Sequence, residues 1–458
     1  MVNGLHRKRS VVVKTAISDS CGATAKGGAV LVEGLANRLG FARKCREFLP
    51  SRRDGSQGFE VTAVVSSLVH GLLSGGRGLS ATEPMRGDGP VLKMLGLDRA
   101  PSAETVEEVI KYLGNHEHGY RGTQQLLGWQ CEQLIKRERF CDLERDGFVP
   151  CFGDGSHLET EGKNFEGRTY HKSKGWGLDY CGLSVGPYMV TSGFASPGEG
   201  EQKALERLLP GAIAFLERTG LRCRALMLLD SLYGHESTLS ILERSGHEVK
   251  YVVGANGLSR MHRELEQWPE DQWRSSGAIR GWARTEVCSF WLQCEGWPSK
   301  RLCVGRRSLR EEDMIPHYRG VMTNLARDDK RVVALMSRHK MSFEQAIWRL
   351  YDSKQAQENL WKDQLIDLGL HHPPCARLSA NNIFYAVAAM AANLATGVRR
   401  LALEAPQRAM RLWRFRREVI DLAATVMLHA RQVIVKLIDA RAKYVAQLHA
   451  AMLRVSRQ

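Results

Sequence analysis

One segment of the sequence places a phenol, two ammonium groups and a carboxylate at helical spacing. Tyr351, Lys354, Glu358 and Lys362 follow one another at offsets of 0, 3, 7 and 11 residues. At about 3.6 residues per turn, these positions fall on one narrow stripe of an α-helix. A carboxylate flanked by cations and an aromatic ring suits a metal ion beside a nucleic-acid phosphate. The stripe also fits a solvated helix surface with an i,i+4 charge ladder, and taken alone this second interpretation is favoured.

Two aspartates upstream follow short apolar runs of the kind that form buried strands. Asp154 follows residues 149–153, and Asp230 follows residues 225–229. Each has an ordinary structural explanation, because Asp-Gly is a common turn dipeptide and Asp-Ser a common helix N-cap. Carboxylates are also the protein ligands that Mg²⁺ prefers. Together with Glu358, the two aspartates therefore form a candidate set of metal ligands.

The charge balance is compatible with a polyanionic partner. The chain of 458 residues has 65 Lys+Arg against 50 Asp+Glu, a formal net charge of +15. Many basic proteins bind no nucleic acid, so the charge alone only makes such a partner more plausible. The length suffices for two or more domains. The 11 cysteines include no Cys-x-x-Cys pair, which indicates reduced thiols rather than a metal or disulfide framework.

Neither a secretion signal nor a membrane span is expected. The basic start at residues 6–9 is followed by only three valines, and the apolar stretch at 383–398 contains Asn393 and is too short to span a bilayer. We therefore expect a soluble cytoplasmic protein that has no membrane partner.

The elements that must position the carboxylates are predicted in the order β-β-β-α-β-α-β. Strands are expected at 149–153, 177–185, 188–194, 225–230 and 249–253, and helices at 200–219 and 234–245, with Gly186-Pro187 as a hairpin turn. This order is that of an RNase H-like fold, a mixed α/β sheet with flanking helices. A further helix is predicted from Ser342, in a capping box with Gln345, to about 368, where Gly369 would end it.

The pattern divides the chain into five sections. Residues 1–145 are predicted to be a mostly helical DNA-binding region with Ser102 as an N-cap and a basic tail at 7–9. Residues 146–254 and 341–400 would be the two parts of the RNase H-like domain. Residues 255–340, with strands at 282–292, 301–305 and 318–325, are predicted to form a β-rich insertion domain. Residues 401–458 are predicted to be helical and basic, and to serve in dimerisation or DNA contacts.

At these positions the chain resembles the DDE transposases of bacterial insertion sequences. It is most similar to the group with a β insertion and a Tyr-Arg-Glu-Lys signature on the glutamate helix. The similarity lies in residues 154–162 (DGSHLETEG), 228–233 (LLDSLY) and 351–362 (YDSKQAQENLWK), and it extends over roughly 145 to 400. Two positions depart from the signature. Lys354 stands where the family has arginine, and Leu365 stands where the family has lysine, for which Lys362 on the same face would substitute.

The resemblance implies a DNA-cleaving enzyme with two Mg²⁺ ions per active site, for which Mn²⁺ can substitute. Asp154 would bridge both ions, and Asp230 and Glu358 would each complete one site. Ions about 4 Å apart can activate a water or 3′-hydroxyl and stabilise the leaving oxygen. The residues that would hold the phosphate backbone are Tyr351, Lys354 and Lys362.

The implied partners are double-stranded DNA, as terminal inverted repeats and as target, and a second copy of the chain. The reactions would be nicking at the end of the element, formation or release of a hairpin, and strand transfer, in a cut-and-paste sequence. Synapsis of two ends implies a homodimer. In a bacterium the enzyme would be associated with the nucleoid.

Two other functions are left open. The departures at Lys354 and Leu365 fit a transposase-derived regulator or inhibitor that binds DNA without cleaving it. Another RNase H-like nuclease, such as a junction resolvase, would need similar acids but seldom so long a gap between the second and the third.

Aromatic and imidazole side chains near these motifs are given ordinary structural roles. In the predicted insertion, Trp282, Trp291 and Trp297 could stack on a base, although core packing is favoured for at least two of them. His157 and His235, beside the aspartates, are expected to be positional.

Overall fold

The computed structural model describes residues 22–52, 58–244, 249–255, 258–277, 279, 281–429 and 432–438. The helices are α1 (Ala29–Leu39), α2 (Phe41–Phe48), α3 (Val61–Leu73), α4 (Glu83–Arg86), α5 (Gly89–Met94), α6 (Ala103–Asn115), α7 (Gly119–Ile135), α8 (Phe140–Leu143), α9 (Glu201–Arg218), α10 (Glu236–Glu243), α11 (Ser259–Glu266), α12 (Lys330–His339), α13 (Phe343–Asp352), α14 (Gln355–Trp361), α15 (Leu378–Ala402), α16 (Ala405–Arg408) and α17 (Leu412–Phe415). The strands are β1 (Ala23–Thr24), β2 (Val149–Glu159), β3 (Thr169–His171), β4 (Gly175–Val185), β5 (Tyr188–Phe194), β6 (Ala225–Leu229), β7 (Lys250–Gly254), β8 (Arg274–Ser275), β9 (Arg284–Leu292), β10 (Arg301–Leu309), β11 (His317–Thr323), β12 (Ala424–His429) and β13 (Gln432–Leu437).

The N-terminal section is mostly helical, as predicted. Apolar residues recur at helical spacing in α1, α3 and α6, and these faces are buried. Gly40, with φ +74°, separates α1 from α2. Ser102 caps α6 by accepting a hydrogen bond from the Thr105 backbone N–H. The basic tail at residues 7–9 lies outside the described residues.

A mixed ten-stranded sheet forms the centre of the fold, and the predicted mixed α/β class with flanking helices is confirmed. The strand order is β3-β4-β2-β6-β7-β11-β10-β9-β8, and β5 also pairs with β4. β2 lies between antiparallel β4 and parallel β6, and β7 is parallel to β6. The predicted order of strands and helices from β2 to β7 is therefore present, with short β3 as an addition.

The parallel strands are apolar throughout because both of their faces are covered. In β6, Leu226 and Leu228 face a cluster that includes helices α12 and α13. Met227 and Leu229 alternate with them and face the opposite cluster, which includes α9. Because side chains alternate along a strand, this pattern also determines the face of the sheet toward which the side chain after each strand points.

The strands of residues 255–340 lie close to their predicted positions, but they extend the central sheet. β11 pairs antiparallel with β7, with Val321 opposite Gly254, and β10, β9 and β8 follow outward. Helices α11 and α12 flank them in sequence. In the part of the chain that the structure describes, the strands of this β-rich segment therefore continue the central sheet from β7.

The described part of the C-terminal section is only partly helical, and the helical prediction is wrong for residues 424–429 and 432–437. After α17 and a π-helical turn at Arg416–Ile420, strands β12 and β13 form a hairpin, with β1 as the third strand. β-branched residues favour strands, and Val426 is buried beside residues of α1, α4 and α5. Residues 439–458 lie outside the described part.

The long helix α15 is buried on almost all sides and forms the middle of the core. Two asparagine side chains of α15 also hydrogen-bond to strand β5. Asn393 accepts from the Met189 N–H at 2.9 Å and donates to the Met189 carbonyl at 2.8 Å. Asn382 accepts from the Phe194 N–H. Within the described ranges, neither α15 nor any other helix has the length and hydropathy needed to cross a membrane.

The helix predicted from Ser342 to about 368 is interrupted. Its capping box with Gln345 is confirmed, and Gly369, with φ +68°, follows its end as predicted. However, α13 ends at Asp352 and α14 starts at Gln355, and a π-helical turn covers Lys362–Asp367. The Ser353 hydroxyl donates to the Leu350 carbonyl at 2.6 Å, a local bond that competes with the helical ladder.

Candidate active site

Asp154 lies in the middle of a strand, not at its end as predicted. β2 continues to Glu159, because residues beyond Asp154 pair with β4 and Leu158 is buried. Asp154 is directly opposite Gly182, and it continues the alternation of Phe152, which faces the α12–α13 side. Its side chain is 28% exposed.

Asp230 follows β6, as predicted, and it starts the next turn. Its carboxylate accepts a hydrogen bond from the Ser231 N–H at 2.7 Å. Because Gly153 and Leu229 are register partners on parallel neighbouring strands, Asp154 and Asp230 occupy equivalent positions side by side. Asp230 continues the alternation of Leu226 and Leu228, so both aspartates face the same side of the sheet.

Lys354 connects the two aspartates. Its Nζ lies 3.5 Å from Asp154 Oδ2 and 3.7 Å from Asp230 Oδ2. The interruption between α13 and α14 places Lys354 over the sheet in this position. Burial raises the pKa of Asp154, and the neighbouring ammonium opposes that shift. Two carboxylates that already share one cation have the donor chemistry for a divalent metal ion.

Tyr351 contacts the same pair from the end of α13. Its hydroxyl donates to Asp230 Oδ1 at 3.5 Å, and burial together with the charge of Asp230 raises the pKa of the phenol. Close approach here requires a glycine at 254, because a Cβ at this position would lie 2.6 Å from the Tyr351 hydroxyl and 2.7 Å from the Ser231 nitrogen.

Glu358 is not brought to the aspartates in this structure. Its side chain is 60% exposed and pairs with Lys362 at 3.1 Å. Among the residues that the structure describes, no group of three His, Cys, Asp or Glu side chains is placed to hold a metal. Helix α14 nevertheless lies on the face of the sheet that carries the aspartates. Trp361, one turn after Glu358, is 3.5 Å from the position of a Cβ built on Gly182, which is the residue opposite Asp154.

Comparison with known families identifies the class of the chain. The family model described as Transposase DDE domain group 1 matches residues 191–458. The chain belongs to this transposase family. The match includes Asp230 and Glu358 and begins after Asp154. No curated protein matches the chain.

A fourth carboxylate of the transposase, which sequence reasoning missed, lies behind Asp154. The Glu201 carboxylate accepts a hydrogen bond from the Tyr233 hydroxyl at 2.7 Å. A Cβ at Gly155 would lie 2.4 Å from its carboxyl carbon, so Glu201 is directly behind β2 on the opposite face. Burial, followed by the nearby charges of Asp154 and Asp179, raises the pKa of Glu201. In the sequence it resembles an ordinary acidic first turn of a helix, which gave no functional signal.

The positional role expected for one of the two histidines agrees with its contacts. His157 is buried, and its ring nitrogens lie 2.7 Å from Asp179 Oδ1 and 3.1 Å from the Gly175 carbonyl oxygen. These contacts tie β2 to β4 next to Asp154.

The remaining positions are Leu365 and the three tryptophans at 282, 291 and 297. Leu365 is buried, so a lysine at this position of the transposase would not reach DNA in this conformation. Trp297 packs against the core, but Trp282 is half-buried and Trp291 is exposed. The preference for core packing of at least two of them is therefore wrong.

Proposed function

We propose that this transposase binds the terminal inverted repeats of an insertion sequence and moves the element by cut-and-paste, through two-metal-ion phosphoryl transfer. Asp154, Asp230 and Glu358 would be the metal ligands, and the ions would be Mg²⁺ or Mn²⁺. The observation that carries the proposal is the pair of aspartates on adjacent strands that share the Lys354 ammonium, in a chain of a DDE transposase family.

The side chains around the pair would bind and orient DNA. When bound, Mg²⁺ supplies activation of the attacking water or 3′-hydroxyl and charge stabilisation at the leaving oxygen. The Lys354 ammonium, released from the aspartates, would pair with a phosphate of the cleaved strand. Tyr351 holds Asp230 through its hydroxyl, and Lys362 would contact the phosphate backbone.

Glu358 would complete the donor set from α14. This short helix has interrupted hydrogen bonding on both sides, at Ser353–Lys354 and in the π-helical turn Lys362–Asp367. Reorientation of α14 can therefore occur without rebuilding α13 or α15. Two ends are joined in synapsis, so the working form would be a homodimer on the DNA of a bacterial nucleoid.

A second function is favoured by one observation. Glu358 pairs with Lys362 away from the aspartates, which fits a regulator that binds the same repeats without cleaving them.

Cleavage of a plasmid that carries the repeats flanking the reading frame tests the proposal. The full chain would be incubated with Mg²⁺ or Mn²⁺, and Asp230→Asn and Glu358→Gln compared with Glu311→Gln, an exposed glutamate between β10 and β11. We expect Asp230→Asn and Glu358→Gln to lose cleavage and Glu311→Gln to cleave like the unaltered chain. All three variants should still bind DNA. Binding by the unaltered chain without cleavage would favour the regulator, and cleavage unaffected by Glu358→Gln would remove that residue from the ligand set.

A further inference from the structure

An exposed pair of aromatic rings lies at one edge of the sheet. Tyr170 of β3 is directly opposite Trp176 of β4, and their rings meet edge to face at 5.4 Å. The two side chains are 62% and 50% exposed. We call this pair, with the flanking Arg168, Lys172 and Lys174, the aromatic hairpin. Large aromatic side chains exposed next to each other indicate a binding surface.

The charges of the aromatic hairpin indicate a polyanion. Residues 167–176 contain Arg168, Lys172 and Lys174 and no acidic residue. The Arg168 guanidinium lies 4.7 Å from the centre of the Trp176 ring, and its buried Nε has no hydrogen-bond partner in the described structure. Lys172 and Lys174 are exposed. Cations interleaved with aromatic rings are typical of surfaces on which nucleic-acid bases stack.

The aromatic hairpin is on the same face of the sheet as the candidate active site. Gly182 is opposite Asp154, and Trp176 is an even number of residues before Gly182 on the same strand, so its side chain points to the same face. At about 3.4 Å per residue, Trp176 lies about 20 Å along the strand from Asp154. DNA has a rise of about 3.4 Å per nucleotide of one strand, so this distance corresponds to about six nucleotides.

The aromatic hairpin is held in place by the core. The Glu166 N–H donates to the Ala376 carbonyl at 2.9 Å, and its carboxylate accepts from the Leu378 N–H at 3.0 Å, at the start of α15. A surface anchored in this way loses little conformational freedom when it binds.

We propose that the aromatic hairpin is a DNA contact that binds the strand leading away from the scissile phosphate, about six nucleotides from it. A base turned out of the duplex would stack on the Tyr170–Trp176 pair, and Lys172 and Lys174 would pair with phosphates. The proposal rests on the proposed function, because it takes DNA at Asp154 and Asp230 as its starting point.

DNA-binding measurements without divalent metal test this contact independently of cleavage. Fluorescence anisotropy would compare the full chain with Tyr170→Ala/Trp176→Ala and with Trp176→Phe, on duplexes that carry one terminal repeat. Met314→Ala is the control, since this large apolar side chain is 97% exposed and lies between β10 and β11, outside the segments to which a DNA contact is assigned.

We expect the double variant to bind the repeat about fivefold to a hundredfold more weakly, the range for loss of one stacked base. Trp176→Phe should keep most of the affinity, and Met314→Ala all of it. The Lys172→Gln/Lys174→Gln variant should make the salt dependence shallower, by about 0.9 in the log–log slope for each lost phosphate contact.

A series of duplexes shortened from either side of the cleavage position locates the contact. Shortening from one of the two sides should remove the difference in affinity between the double variant and the unaltered chain. This should happen once fewer than about six nucleotides remain on that side of the cleavage position. A penalty that persists at every length would overturn the placement. Affinity of the double variant equal to that of Met314→Ala would overturn the contact. If the unaltered chain fails to distinguish repeats from scrambled DNA, the proposed function fails as well.

Discussion

Replacing Lys354 with methionine should increase the affinity for Mg²⁺ while it reduces DNA cleavage. Methionine keeps an unbranched side chain but removes the ammonium that lies 3.5 Å from Asp154 and 3.7 Å from Asp230. A cation that binds the two aspartates must displace this ammonium, so its removal eliminates a competitor. The cleavage step should suffer because the same ammonium would pair with a phosphate.

The size of the effect follows from the two distances. One ion pair at this separation contributes about 1 kcal/mol in a water-like dielectric and about 4 to 5 kcal/mol at an effective dielectric constant of about 20. The side chain of Asp230 is 52% exposed, so solvent screening favours the lower value. Two contacts then oppose the incoming cation by about 1–2 kcal/mol, which corresponds to a Kd for Mg²⁺ about fivefold to thirtyfold lower in the variant.

Isothermal titration calorimetry of the DNA-free protein measures this change, and Lys362→Met is the matched control. Lys362 pairs with exposed Glu358 in the i,i+4 arrangement, so its removal should change the Kd by about twofold at most. An unchanged or higher Kd in a folded Lys354→Met protein would refute the idea that Lys354 occupies the cation position. Undiminished cleavage by this variant would refute its role at the phosphate.

Three further changes test other parts of the structure. Arg301→Met leaves two glutamate partners without their buried cation and should lower the free energy of unfolding by about 3–5 kcal/mol in urea denaturation; a loss under about 1 kcal/mol would contradict the burial of this network. Gly155→Ala should cost about 1–3 kcal/mol by the same measurement, because its Cβ would displace the Glu201 carboxylate, and adding Glu201→Ala should recover part of that loss. Ser342→Ala removes the cap of α13 and should cost about 1 kcal/mol, whereas Ser342→Asp, which keeps a capping oxygen, should not.

The strands and the second aspartate could be predicted because their signals are local. The apolar run of β6 ends at Asp230 in sequence and in structure, and Gly186-Pro187 forms the expected hairpin between β4 and β5. Patterns of this kind depend on neighbours a few residues away, so a single sequence contains them.

Two of the three exceptions depend on tertiary contacts, and the third is local. Residues after Asp154 have turn-like composition, but pairing with β4 keeps them extended. The C-terminal hairpin depends on β1, which is some 400 residues away in sequence, and sheet pairing at that distance overrides local preference. The break between α13 and α14 occurs in a segment whose periodicity is otherwise helical, at a serine whose hydroxyl donates to the Leu350 carbonyl.

The continuity of the sheet across β7 and β11 has a consequence for dissecting the protein. Backbone N–H and C=O groups of β7 pair with β11. Removal of residues 255–340 would leave these groups without partners. The excised piece would carry the complementary unpaired edge on β11. Two such edges are templates for intermolecular strand pairing, so shortened versions of this chain should aggregate. Strands β8–β11 therefore protect the central sheet from pairing with other molecules.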